Sequence, residues 1–189
     1  MENLLSVLLG ISLSAAVGFR IFVPFLVMGI AAHAGNLQLS PELAWMGSTP
    51  ALVMFSIATL IEIAGYYLPF VDELLDVVAT PVAVVAGVAA TYAVTGEMSP
   101  MMHWVTAILA GGTSAGLVQG MTDVARITST VSTGGLGNPL LSTMELLSAS
   151  VLSLLAIALP LLTGLIVIGL LGYAIARLLK FMRRRPDMG

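Results

Sequence analysis

Apolar residues fill this chain in six long runs separated by short polar turns. The runs extend from about Leu4 to Ala34, Pro50 to Leu68, Thr80 to Val94, Met101 to Thr133, Leu140 to Leu159 and Leu165 to Phe181. A helix crosses the hydrocarbon core in about 20 apolar residues, so the pattern predicts an all-α, polytopic membrane bundle of about six crossings. The first and fourth runs are too long for straight crossings, because 30 helical residues reach about 45 Å against a core of ~30 Å. The first holds Gly18 and Pro24 and is expected to tilt, kink or break near Gly18-Phe19-Arg20. A re-entrant hairpin is the alternative, and it changes the crossing count. Pro50 suits a first helical turn and Pro69 a stop. The acidic stretch FVDELLDVV reads as a short amphipathic linker.

Polar positions inside these runs recur at steps of three and four. In the fourth run Gln119, Thr122, Asp123, Arg126, Ser129, Thr130 and Thr133 form one stripe along a helix. Asp123 and Arg126 stand three apart and are expected to pair. The second run carries Ser56, Thr59, Glu62 and Tyr66, and the fifth Ser142, Glu145 and Ser148. A charge at a helix centre costs about 2.5–3.5 kcal/mol on insertion scales, so such residues face protein or water. The candidate polar cavity is therefore Arg20, Glu62, Gln119, Asp123, Arg126 and Glu145, with Asn138 at the GGLGNP turn. Each Glu is expected to be a counter-ion to Arg or a proton carrier. The bland reading of the same residues is a set of internal staples that fix helix register.

The two halves repeat the same order: a long Gly-interrupted run, a helix with one Glu, then a third helix. Shifting the chain by 102 positions lays Gly10 on Gly112, Ser12 on Ser114, Ser14 on Gly116, Gly18 on Gly120 and Gly35-Asn36 on Gly137-Asn138. Residues 1–96 and 97–181 are expected to be related halves, with 182–189 a basic tail. Three crossings per half would make the halves inverted, the plan of many carriers. The small residues Gly112, Gly116 and Gly120, the series Gly10, Ser14 and Gly18, and Ala79, Ala83 and Gly87 read as close helix packing.

Composition supports the membrane reading. Of 189 residues, 58% are hydrophobic and only 9% charged, against about 25% charged in soluble domains. Five of the seven basic residues lie near the end: Arg177, Lys180, Arg183, Arg184 and Arg185. The positive-inside rule then predicts a cytoplasmic C-terminus, in a bacterial inner membrane. Glu2 stands where a signal peptide would carry a cation, so the first run is expected to stay uncleaved.

The absence of Cys excludes disulfides and thiolate chemistry. His33 and His103 are isolated, with no metal-binding spacing, and no Gly-rich nucleotide loop occurs. No metal, cofactor, catalytic set or nucleic-acid partner is expected.

The segments GFRIFVPF, the acidic ELLD after YYLP, and STGGLGNPLLSTMELLS carry a resemblance to a family of integral membrane proteins, domain of unknown function 4126. It covers about Leu4 to Leu162 and rests on Gly18-Phe19-Arg20, Pro50, Glu62, Pro69, Asp72, Arg126, Asn138-Pro139 and Glu145. Members often read Glu-Asp where this chain has Glu145-Leu146. The resemblance implies the membrane class and marks these residues; it implies no activity.

The expected function is a small transporter or channel for a small anionic solute or a lipid headgroup, working as a homo-oligomer. Two arginines in one cavity suit an anion. The alternative is a scaffolding membrane protein whose ion pairs only hold its helices together. An enzyme acting on lipid would need chemistry at Glu62 or Glu145 that the sequence does not otherwise equip.

Overall fold

The computed structural model describes residues 2–68, 71–96 and 98–183; the side chains of residues 72, 73, 178 and 181–183 also lie outside the description. The expected Pro69 stop, the carboxylates of Asp72 and Glu73, and Arg184 and Arg185 of the tail fall outside it. The described residues form α1 (Glu2–Val17), α2 (Phe22–His33), α3 (Thr49–Tyr66), α4 (Val71–Val94), α5 (Pro100–Thr106), α6 (Thr113–Thr133), α7 (Asn138–Ala158) and α8 (Pro160–Arg183). A 3-10 segment, Pro41–Gly47, precedes α3, and a π-helical turn, Ala107–Gly112, joins α5 to α6.

Local chemistry sets these ends. Ser48 caps α3 by accepting from the Ala51 amide, and Pro50 follows in the first turn, where a missing N–H costs no helical bond. Gly134 closes α6 in the left-handed region (φ 64°), as a helix C-terminus commonly requires. α4 begins at Val71, so the acidic stretch is not a separate linker but the first turns of a membrane helix.

Among the described residues, five helical runs are long and apolar enough to cross a membrane: Thr49–Tyr66, Leu74–Val94, Pro100–Thr133, Asn138–Ala158 and Pro160–Arg177. The expectation of about six crossings counted the first run as one of them. That run instead turns back on itself. α1 lies antiparallel to α4, since Gly10 touches Thr91 while Ser14, further along, bonds Gly87. α2 lies antiparallel to α3, where the Phe22 amide meets Glu62, Phe25 stacks on Phe55, and Gly29 touches Leu52. Both ends of the hairpin reach one face. Glu2, Asn3 and Ser6 line the same cavity as Gln38, Ser40 and Gly96, and the Ser40 amide bonds Ala93 O at 2.6 Å.

The chain tests this return directly, because it has no Cys. Ser6→Cys and Gln38→Cys are expected to react with a membrane-impermeant maleimide from the same side, and Leu136→Cys from the opposite side. Labelling of residues 6 and 38 from opposite sides would restore the single-crossing reading.

α1 sits at the centre, against α4, α6, α7 and α8. The close approaches are made by small residues. At Gly87 an added Cβ would strike Ala115 Cβ, and at Gly18 it would lie 2.6 Å from Ala115 O. Gly112 and Gly116 pack on Val84 and Val88 of α4, whereas Gly120 faces open space. The helix runs unbroken through Gly120, so the fourth run lacks a counterpart of the Gly18 break; its irregularity is the π turn, which places Gly111 against Gly87 and Thr91.

Candidate functional site

The hairpin tip brings irregular backbone to the middle of the bundle. Gly18 lies against Ala115, which also faces Gly87 near the middle of the Leu74–Val94 span. Backbone groups there must be satisfied by protein, because lipid offers no partner. The amides of Gly18, Phe19 and Arg20 bond back to Ser14 and Ala16 carbonyls. The next two have no helical partner. Glu62 of α3 takes both, from Ile21 N at 2.7 Å and Phe22 N at 3.1 Å. Ile21 gives α2 no side-chain cap, so a carboxylate from another helix does that work. Pro24 falls in the first turn of α2, where its missing donor is harmless.

Arg20, next to those amides, is 2% exposed. Its Nη2 donates to Ser142 O at 3.1 Å and lies 3.2 Å from Glu145 Oε2. Arg126 enters from α6 and meets the same carboxylate: Nε donates to Glu145 Oε1 at 3.0 Å, and Nη2 donates to Oε2 and to Ser142 Oγ. Asp76 of α4 stands 3.7 Å from Arg126 Nε. Both guanidinium groups cover the Tyr66 ring, at 3.7 Å for Arg20 and 4.4 Å for Arg126. An aromatic face attracts cations, more strongly when water is excluded. Arg20 Nε and Nη1 nevertheless find no hydrogen-bond acceptor among the described residues.

The predicted residues thus divide. Arg20, Arg126 and Glu145 form one buried cluster, and Glu62 caps the hairpin tip beside it. Asp123 does not make the expected pair with Arg126. It accepts from Thr80 at 2.7 Å and from Gln119 at 2.8 Å, because its side chain turns towards α4 while Arg126 reaches α7. Asn138 donates to Thr130. A cavity of about 370 Å³ is lined by Asp76, Asp123, Arg126, Thr130 and Asn138 among others, but not by Arg20, Glu62, Gln119 or Glu145. Arg20, Arg126 and Glu145 are thus packed together as an ion cluster, with this cavity beside it.

Three members escaped the sequence reading. Tyr66 and Ser142 were visible only as stripe positions, one turn from Glu62 and Glu145 respectively. Asp76 reads as part of a solvated linker until α4 is seen to carry it inward.

Over residues 7–180 the sequence matches a family described as a domain of unknown function, DUF4126. The chain belongs to this family. DUF4126 here is all-helical among the described residues, with a membrane-like exterior: Leu60, Ile61, Val77, Val85, Leu109 and Leu170 all point outward. The match covers the hairpin from residue 7 onward, with Arg20, Glu62, Arg126 and Glu145. No curated protein and no solved structure matches the chain significantly.

Proposed function

We propose that this protein is a small membrane transporter that carries a proton together with a small monoanion, with the α1–α2 hairpin tip as its binding point. The observation behind the proposal is Glu62 on the Ile21 and Phe22 amides, beside a buried Arg20 with unused donors. The N-terminus of a helix attracts anions. In this structure the anion there is the protein's own carboxylate.

A proton on Glu62 would cancel that charge and release the amides. A solute carboxylate or phosphate-like oxyanion then takes its place, with Arg20 adjacent. Loading leaves the summed charge of the site unchanged, since the proton neutralises Glu62 as the anion arrives. Discontinuous helices around a buried site, in halves of opposite sense, are the plan of many carriers. Here α3 runs against α7, and α4 against α8, as inverted halves would, whereas α1 and α6 both run against α4 and so share one direction. The basic residues at the end of α8 direct the C-terminus to the cytoplasm of a bacterial inner membrane.

The test is flux in proteoliposomes with an internal pH dye and a panel of small monocarboxylates and inorganic anions. Wild type is expected to acidify the lumen only when a transported anion is supplied. Glu62→Gln mimics the protonated acid, and is expected to abolish proton movement while retaining anion exchange. Absence of flux for every anion, with Glu62→Gln merely less stable, would favour a scaffold whose charges only hold the helices.

A further inference from the structure

A second feature lies on the outer surface, away from the ion cluster. Between α6 and α8 runs a cavity of about 660 Å³, walled by Leu117, Met121, Val124, Leu171 and Ile175, with Gly116 and Gly120 in its floor. A Cβ added at Gly120 would meet nothing within 4 Å, so the floor is open rather than filled by a neighbouring helix. One end is closed by a cation. Arg177 lines the cavity and donates Nε to the Tyr173 hydroxyl at 3.1 Å, its guanidinium 5.8 Å from that ring. That bond uses one of five N–H donors, and Arg177 makes no other hydrogen bond among the described residues. Lys180 follows one turn later on the same helix.

We infer that this groove binds an anionic glycerophospholipid, with an acyl chain along the Gly116–Gly120 floor and the phosphate on Arg177. An apolar slot ending in a cation matches the shape and polarity of that lipid. Lipid tails alone fill any outward groove without preference; the arginine supplies the preference, as basic pockets between membrane helices do.

Native mass spectrometry and thermal unfolding of the full chain, titrated with phosphatidylglycerol or phosphatidylcholine, test this. The wild type is expected to prefer phosphatidylglycerol roughly fivefold, the worth of one cation near an anionic surface. Arg177→Gln should lose the preference. Gly120→Leu, whose Cβ would meet nothing within 4 Å and whose side chain would occupy the slot, should also lose it, and Lys180→Gln should keep it. Equal binding of the two lipids would overturn the inference. So would a preference that survives Arg177→Gln and vanishes in Lys180→Gln, which marks diffuse attraction to the helix end. A dimer of the wild type that Gly120→Leu dissociates would assign the groove to a second copy instead.

Discussion

Glu145→Ala is expected to destabilise the protein by about 3–5 kcal/mol, the range for removing one partner of a buried ion pair. The physical reason is that one carboxylate serves two cations. Arg20 and Arg126 both point at it, and both lie over Tyr66. Without Glu145 they repel each other across a shared ring, both of them buried. Asp76 offers partial relief to Arg126 alone. Unfolding temperature and folded yield in one detergent would measure the loss. Adding Arg126→Met to Glu145→Ala should recover part of it, because the second change removes a stranded charge. If the double variant is no better than the single, the repulsion argument fails.

Gly87→Leu is the second large effect. A Cβ there would meet Ala115 Cβ, and lie 2.7 Å from Gly111 O. Neither atom can rotate away. α4 and α6 would have to separate, and the bond from Ser14 Oγ to Gly87 O, 2.7 Å, would go with them. Overpacking a tight core costs about 1–3 kcal/mol or more, so Gly87→Ala should fall in that range and Gly87→Leu should fail to assemble. Gly169→Ala is the control. Its Cβ meets nothing within 4 Å, and it should stabilise by about 0.5–1 kcal/mol through reduced chain entropy. The same thermal assay separates the two, and equal behaviour of residues 87 and 169 would deny the close crossing.

The helical class and the inward charges were legible in the sequence because lipid permits few alternatives. Gln119, Thr122 and Arg126 are buried as the period of the α6 stripe implies. The hairpin was not legible as such. A run with Gly18 and Pro24 inside it suits a kinked crossing and a returning pair equally. What decides is the Ser40 amide on Ala93, a contact between residues far apart in sequence. The Asp123–Arg126 pairing failed for a related reason. Neighbours on one helix compete with partners on others, and Thr80 and Glu145 were closer fits than either was to the other. The acidic stretch misled because Asp76 finds its counter-charge on α6, which no local pattern records. Glu62 was expected to be a counter-ion to arginine or a proton carrier; its backbone amide partners carry no signature in side-chain sequence at all.

Five helices long enough to cross and a returning hairpin make the fold directional. The start of α1 and the end of α8 lie at opposite ends of the bundle. A gene duplication that joined two copies by a short linker would therefore insert the second copy upside down, or would need an additional helix to bring the chain back. Fused pairs of this fold would then be of two kinds: antiparallel twins with little between them, and parallel twins separated by one extra apolar segment.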